Sequence, residues 1–250
     1  MKKSIPVVVL LKNEFIYRMK HLLLLHGAVG SKDQLQPLAD LLKNDFIVHL
    51  FNFSGHGGKP FAQEPFSIKS FATELEGYLS THKIQHASVF GYSMGGYVAL
   101  YLAKQQPQLL SEIVTIATKF QWDETIAAKE VAMLNAKIIL EKVPVFADQL
   151  KQRHQPNDWK LVLEKTKAML LQMGNENPLQ LNDYAAISQP VLLLLGDNDK
   201  MVTREETEAV QKALPNSRFV LLEQTAHPIE KVNNVVLADM ILEFCKTNER

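Results

Sequence analysis

The chain has 250 residues, 46% of them apolar, which suffices for one α/β domain with a large core and room for an insertion. Its 27 Lys and Arg side chains balance 27 Asp and Glu side chains, and this neutrality argues against a nucleic acid or an anionic membrane as partner. We therefore expect a small-molecule partner. The single cysteine, Cys245, excludes an intramolecular disulfide, has no metal-ligand neighbours and favours a reducing, cytoplasmic compartment.

The N-terminus allows two interpretations. Met1 is followed by two lysines and by apolar residues 5–11, which resembles the start of a signal peptide. That run is short, however, and residues 12–14 interrupt it without a small-residue cleavage site. It therefore favours a first β-strand over residues 5–11 and a second over residues 15–19, joined as a hairpin. No run approaches the roughly 18–20 apolar residues of a membrane-spanning helix, so we expect no membrane association.

Apolar runs then alternate with helical patterns. Six further strands are predicted, which makes about eight in all: residues 21–25, 46–51, 86–90, 112–118, 190–196 and 217–222. Helices are predicted over residues 33–43, 204–214 and 230–246. Two more are predicted in the middle of this stretch: one starts at the N-cap Ser67, and one follows Ser93 and ends at about residue 106. Uninterrupted apolar strands separated by helices are typical of a mostly parallel sheet covered on both faces, and hence of an α/β fold.

The alternation stops between residues 119 and 188. This stretch contains only helical patterns, one spanning Ala127 to Ile138 and another from Trp159 to Met173, with breaks near Pro144 and Pro156. We therefore expect residues 119–188 to form a helical lid inserted into a core domain made of residues 1–118 and 189–250. The lid would pack over the carboxyl edge of the sheet.

The sequence Gly91-Tyr-Ser-Met-Gly95 follows one of the predicted strands and precedes a helical pattern. It fits G-x-S-x-G in the strand, turn and helix context of a nucleophile elbow. The turn is tight, so a side chain at Gly91 or Gly95 would meet a neighbouring strand or helix. The Ser93 hydroxyl would project above the sheet, close to the Met94 N–H. A glycine-rich turn with an incidental serine is the alternative, because this short motif also occurs by chance.

Two other loops carry suitable partners for a serine. An aspartate, Asp197 or Asp199, follows the strand that ends at Gly196, and His227 follows the last predicted strand. Loops after parallel strands emerge at one edge of the sheet, so these residues can meet there. Their order in the chain, Ser, Asp and His, is the order of an α/β-hydrolase triad.

Through the G-x-S-x-G turn and the following aspartate and histidine loops, the sequence resembles the α/β-hydrolase fold superfamily of serine hydrolases over almost its whole length. The matching segments are residues 26–27, 55–57, 91–96, 196–202 and His227 with Glu230. The resemblance implies an α/β-hydrolase fold with Ser93 as nucleophile, His227 as base and Asp199 as acid. Asp197 remains the second candidate for the acid and Asp123 the third. It also implies an oxyanion hole formed by the backbone N–H groups of Ala28 and Met94, and no metal or organic cofactor.

The sequence also departs from the family pattern. Members often carry an Asp and an Arg in the segment that here reads 52–57, so the ion pair between them is missing and the anchoring of this loop is in doubt. His56 in the same segment is expected to be structural. The loop after residue 25 has no run of three glycines, unlike hormone-sensitive lipases. A serine at the elbow also argues against haloalkane dehalogenases and epoxide hydrolases, which use aspartate there.

The most direct functional interpretation is a serine hydrolase, monomeric or weakly oligomeric, that cleaves a small carboxylic ester, thioester or related acyl bond. A C–C hydrolase or lyase with the same triad is the first alternative, and a non-catalytic binding protein of this fold is the second. Phe120, Trp122 and Trp159 are candidates for pocket walls, although the core of the lid is the favoured place for each of them.

Overall fold

The computed structural model describes residues 19–248, and these contain a six-stranded parallel sheet. The strands are β1 (Lys20–Leu25), β2 (Phe46–Phe51), β3 (Ala87–Tyr92), β4 (Leu110–Ile116), β5 (Val191–Gly196) and β6 (Ser217–Leu222). Their order across the sheet is β2-β1-β3-β4-β5-β6. Since all six run in one direction, the loops that follow them open on one edge.

Nine α-helices connect or follow the strands within residues 19–248. They are α1 (Gln36–Leu42), α2 (Ile68–Thr81), α3 (Met94–Gln105), α4 (Glu124–Ala132), α5 (Ala136–Lys142), α6 (Pro144–His154), α7 (Trp159–Asn175), α8 (Arg204–Ala213) and α9 (Asn234–Thr247). Short 3₁₀ turns cover Lys32–Leu35, Leu181–Ala186 and Ile229–Lys231. None of these helices is both long and apolar enough to cross a bilayer.

Apolar side chains cover both faces of the sheet. Strand β5 is buried along its whole length, and Leu22 to Leu25 of β1 are fully buried. Alternate residues of each strand belong to two separate core clusters. Leu23 and Leu25 pack on the side of α2 and α3, and Leu22 and Leu24 pack on the side of α1 and α9. The continuous apolar runs in the sequence are explained by this burial on two faces.

The α/β-hydrolase architecture expected from the sequence is confirmed, with differences in detail. Six strands are described, not about eight. The predicted strands at 5–11 and 15–19 lie outside the described residues, except for Met19, which is not in a strand. The predicted final helix starts later than residue 230, because Asn233 caps it by accepting hydrogen bonds from the N–H groups of Val235 and Val236.

Between β4 and β5 the chain forms four helices and a 3₁₀ turn, and no strand. The pattern predicted as one helix over Ala127 to Ile138 is two helices, α4 and α5. The break occurs at Asn135, whose side chain accepts from the N–H groups of Lys137 and Ile138 and so starts a new helix. As a result Ile138 is 50% exposed instead of buried.

Candidate active site

Ser93 occupies the turn between the last residue of β3 and the first residue of α3. Its backbone has φ 50° and ψ −116°, a conformation that L-residues rarely adopt. The turn requires glycine on both sides. A Cβ on Gly91 would lie 2.4 Å from the nitrogen of Gly96, and one on Gly95 would lie 2.4 Å from the carbonyl oxygen of Leu25. The strained turn therefore presents Ser93 at the carboxyl edge of the sheet.

Asp199 and His227 meet at the same edge, although 28 residues separate them. Asp199 follows β5, His227 follows β6, and 2.7 Å separates the Asp199 Oδ2 from the His227 Nδ1. The other carboxylate oxygen, Oδ1, accepts from the N–H groups of Met201 (2.8 Å) and Val202 (3.0 Å). The Asp199 side chain is only 1% exposed. Its orientation is thus fixed from both sides.

Burial raises the pKa of Asp199, but the hydrogen bond from His227, the electrostatic attraction between these two side chains and the two backbone N–H groups outweigh it. The pKa of Asp199 is therefore lowered below its ordinary value, and the carboxylate is ionised at neutral pH. An ionised carboxylate can only accept, so Nδ1 of His227 carries the proton. In the neutral tautomer that this hydrogen bond selects, Nε2 carries the lone pair and can act as a base.

Ser93 and His227 line one cavity of about 70 Å³. Its other walls come from the strand-end loops, α2, α3 and the helices that follow β4: Ala28, Ile68, Met94, Tyr97, Lys119, Trp122, Glu130, Met169, Leu170, Met173 and Met201. Within residues 19–248 no hydrogen bond joins the Ser93 hydroxyl to His227. Bonds of this kind often tighten only when substrate is bound.

The same cavity is lined by Ala28 and Met94, whose N–H groups are the candidate oxyanion donors. Met94 is the first residue of α3, so its N–H has no acceptor within the helix. The N–H of Ala28 donates to no acceptor in the described part of the chain. Two backbone donors beside Ser93 are therefore available to a negatively charged oxygen.

Two histidines hold the loop that contains Ala28. The Nδ1 of His26 donates to the carbonyl of Gly27 (2.8 Å), and its Nε2 accepts from the N–H of Phe53 (3.2 Å). Burial lowers the pKa of His26 to about 3, so this histidine is neutral and structural. From the helical segment, His154 donates to the carbonyl of Val29 (3.0 Å), which also accepts from the Arg153 guanidinium (3.1 Å).

The three candidate pocket residues lie in different places. Trp122 lines the cavity of Ser93. Phe120 lines a neighbouring cavity of about 410 Å³, which shares the Trp122 wall. Trp159 is buried in a small core between helices, with Leu150 and Leu163. Phe120 and Trp159 are thus not brought to Ser93.

The competing candidates for the acid have other partners. Asp197 accepts from the N–H of Thr225 (3.1 Å), and Asp123 caps α4 by accepting from the N–H of Ile126 (2.7 Å). His56 is fully buried, stacks on Phe66 and does not line the cavity. Of the polar residues selected from the sequence, Asp199 is the one that contacts His227.

The loop at residues 52–57 is anchored without an Asp–Arg ion pair. The Asn52 side chain accepts from the N–H of Lys32 (2.7 Å) and donates to the carbonyl of Gly57 (3.1 Å). Glu74 accepts from the N–H of Ser54 (3.0 Å) and from the ammonium of Lys59 (2.8 Å). Two hydrogen bonds of the Asn52 side-chain amide and two contacts of the Glu74 carboxylate therefore anchor this loop.

Sequence reasoning missed several residues of the cavity. Lys119 and Glu130 place an ion pair in its wall, with 3.6 Å between Nζ and Oε1. Met169, Met173 and Met201 supply flexible apolar walls. The position of Lys119 just after β4 is the one sequence signal that could have placed it at the site. Glu130 gives no such signal, because it lies on a helix whose packing cannot be inferred from the sequence. Among the described residues, no three His, Cys, Asp or Glu side chains are grouped to hold a metal ion.

The chain is similar to known proteins in both sequence and fold. The family model for the alpha/beta hydrolase fold matches residues 20–179. The chain is 28% identical over 228 residues to the pimeloyl-[acyl-carrier protein] methyl ester esterase of Neisseria meningitidis serogroup A, covering 84% of this chain and 71% of that protein. It is 21% identical over 241 residues to the 2-(acetamidomethylene)succinate hydrolase of Mesorhizobium japonicum, covering 89% and 87%.

Solved structures show the same fold. MenH from S. aureus superposes with a TM-score of 0.76 at 22% identity, over 92% of this chain and 95% of that one. At that identity the likeness concerns the fold alone. The family match covers more than half of the chain, and the relatives include esterases and other hydrolases. The chain therefore belongs to the alpha/beta hydrolase fold family, and it is a hydrolytic enzyme.

Proposed function

We propose that the protein is a serine hydrolase that cleaves a small carboxylic ester, thioester or related acyl bond through an acyl-Ser93 intermediate. The observation that carries this proposal is the His227 imidazole. It is oriented at Nδ1 by Asp199 over 2.7 Å and lines the same cavity as the Ser93 hydroxyl. A neutral imidazole with its Nε2 unprotonated is the base that a serine nucleophile needs.

In the first half of the reaction, the Ser93 oxygen attacks the acyl carbon while its proton passes to Nε2 of His227. The carbonyl oxygen becomes an oxyanion, which the N–H groups of Ala28 and Met94 stabilise. When the intermediate collapses, the bond to the leaving alcohol or thiol breaks, and that group takes the proton from His227. Asp199 stabilises the imidazolium that exists in between.

In the second half, water attacks the acyl-Ser93 carbon and gives a proton to His227. The carboxylic acid is released, and the proton returns to the Ser93 oxygen. The two halves together consume one water and give one acid and one alcohol or thiol, so the enzyme returns to its starting state.

We also propose that residues 119–188 form a lid over this cavity, inserted in a core domain of residues 1–118 and 189–250. The support is that much of the cavity wall comes from this stretch, namely Lys119, Trp122, Glu130, Met169, Leu170 and Met173. A lid of this kind shields the cavity from bulk solvent and selects the acyl group.

A fluorophosphonate probe tests the proposal, because it reacts covalently with an activated serine. We expect the wild-type protein to be labelled and Ser93→Ala to remain unlabelled, with circular dichroism showing that the variant is folded. Ser88→Ala is the matched control, since Ser88 is a fully buried serine of β3, the strand that precedes Ser93, and does not line the cavity. Folded wild-type protein that is not labelled would contradict the proposal.

Methyl esters and thioesters of small acids then separate the alternatives. Release of acid that depends on Ser93 supports the ester or thioester reaction. Labelling without hydrolysis of any ester would favour the C–C hydrolase or lyase alternative, which uses the same triad. Neither labelling nor hydrolysis would favour a binding protein.

A further inference from the structure

The cavity beside Ser93 is apolar except for a few groups, and one of these is a charged pair that the proposed mechanism does not use. Lys119 follows β4 and Glu130 lies on α4, and both line the cavity. Their side chains are 14% and 6% exposed. In a substrate cavity, the few polar groups among apolar walls fix the orientation and identity of the ligand.

The hydrogen bonds of this pair are incomplete. The Lys119 ammonium donates to the carbonyl of Met201 (2.5 Å), but Glu130 Oε1 is 3.6 Å away, beyond hydrogen-bond range. Two of its three N–H groups thus have no acceptor in the described part of the chain, and the Glu130 carboxylate accepts no hydrogen bond there. A buried ion pair repays its desolvation only when further hydrogen bonds satisfy it.

The charges of the pair decide what kind of group can complete it. A substrate carboxylate would pair with Lys119 but would be repelled by Glu130. A substrate cation would pair with Glu130 but would be repelled by Lys119. An uncharged group that both accepts and donates hydrogen bonds satisfies both partners. It can accept from the Lys119 ammonium and donate to the Glu130 carboxylate, and hydrogen bonds to charged groups are the stronger ones.

We propose that the Lys119–Glu130 pair selects a substrate whose acyl part carries an uncharged donor and acceptor group, of the amide class, a few bonds from the scissile carbonyl. This inference rests on the proposed function, because it assigns the acyl group of the ester that Ser93 would attack. Lys119 and Glu130 are specificity residues that bind the substrate and do not take part in the bond changes.

Three methyl esters of equal size test the assignment. Methyl succinamate ends in an amide, methyl 4-methylpentanoate ends in an isopropyl group of the same shape, and monomethyl succinate ends in a carboxylate. Malonyl analogues of the three vary the distance by one methylene. Acid release gives kcat/KM for each ester. We expect wild-type protein to prefer the amide ester about tenfold or more over both others, in at least one of the two series.

Variants connect this preference to the pair. In Lys119→Met and in Glu130→Leu the ratio of amide ester to isopropyl ester should fall toward one, mainly through KM. Lys129→Met is the matched control, because Lys129 is an exposed lysine on the same helix, and it should keep the wild-type ratio. Glu130→Gln keeps the size of the side chain but leaves Lys119 uncompensated, so it should shift the preference toward the carboxylate ester by about tenfold.

A structural role for the pair would change all three esters equally and leave their ratios as in the wild type, which would overturn the inference. A wild-type preference for the isopropyl or carboxylate ester would overturn it as well. If Ser93 is labelled by the fluorophosphonate and the esters are cleaved without any preference, the proposed function stands and only this assignment fails. If no ester is cleaved and Ser93 is unlabelled, the proposed function itself fails.

Discussion

His154, the last residue of α6, donates from Nε2 to the carbonyl oxygen of Val29 over 3.0 Å, and its Nδ1 accepts from the N–H of Gly57 over 3.2 Å. Burial lowers the pKa of His154 to about 4, so the ring is neutral and can serve one donor and one acceptor at once. A single side chain of the helical segment thereby ties together the loop that contains Ala28 and the loop after β2.

The first prediction concerns this tie. His154→Leu leaves the Val29 carbonyl with one donor fewer and the Gly57 N–H without its acceptor, so the Ala28 N–H should lose its fixed direction. We expect kcat to fall about tenfold with a smaller change in KM, and the free energy of unfolding to fall by about 1–3 kcal/mol. Ester hydrolysis and urea denaturation measure the two effects. Lys151→Leu, an exposed position on the same helix, should change neither.

A second prediction follows from the lowered pKa values of His154 and His26, about 4 and about 3 against 6.5 when unfolded. Between pH 6.5 and 4 the unfolded chain binds protons that these folded residues do not. Acidification therefore favours unfolding, and their contribution to stability is complete above pH 6.5.

Each such histidine contributes at most about 1.4 kcal/mol per pH unit in this window. Urea denaturation at pH 7 and pH 5 should show a lower free energy of unfolding at pH 5. The difference between the two pH values should be smaller in His154→Gln, because this variant lacks the one proton that His154 takes up on unfolding. An identical difference in both proteins would show that His154 does not titrate as described.

The third prediction separates the two aspartates after β5. Asp199→Asn removes the acceptor that holds the proton on Nδ1 of His227, so kcat should fall by about 10³- to 10⁴-fold. Asp197→Asn should leave kcat within a few-fold, because that side chain bonds the Thr225 N–H and not His227. Steady-state ester hydrolysis compares them. If Asp197→Asn were the inactive variant, the acid would have to be reassigned.

The fourth prediction concerns the acyl chain. The cavity of about 70 Å³ has room for only a short acyl group. Ile68, Met169 and Met173 separate it from a surface groove of about 300 Å³, because they line both. Met173→Ala should join the two spaces and raise kcat/KM for an octanoyl ester relative to an acetyl ester about tenfold.

Met133→Ala is the control for this change, because Met133 is 51% exposed and lines neither space. A set of 4-nitrophenyl esters of increasing chain length provides the measurement. An unchanged chain-length profile in Met173→Ala would mean that this methionine does not limit the acyl group.

The fifth prediction compares two glycines. Gly91→Ala puts a Cβ 2.4 Å from the backbone of Gly96 and should cost more than about 3 kcal/mol or prevent folding. Gly77→Ala lies on α2, and no atom of residues 19–248 comes within 4 Å of the added methyl. It should raise the free energy of unfolding by about 0.5–1 kcal/mol, because alanine loses less backbone entropy in a helix. Thermal denaturation of the two variants should give shifts of opposite sign.

The sheet and the order of its loops could be predicted from the sequence because burial on two faces leaves a local signature. The apolar run from His21 to Leu25 and the run before Gly196 coincide with strands. The nucleophile elbow could also be predicted, since the contacts that require Gly91 and Gly95 come from adjacent backbone. Both features depend on neighbours that are close in sequence or repeated along a strand.

The composition of the cavity could not be predicted in the same way. Glu130 is brought to Lys119, and Met173 and Ile68 to one cavity, by the packing of helices whose angles depend on many distant side chains. The break at Asn135 was missed for a related reason. A polar residue within an apolar pattern can lie on the exposed face of one helix or start the next, and the tertiary structure decides between them.

The position of β4 in the sheet has a consequence for how the protein is made. On one side β4 pairs with β3, which precedes it closely, and on the other it pairs Val114 with Leu192 of β5. A ribosome therefore releases β4 long before its second neighbour, and an apolar strand edge stays open while the four intervening helices are synthesised. His227 emerges later still. The nascent chain thus carries its serine turn in a sheet that is still incomplete, and the last strand that completes the sheet also delivers the base.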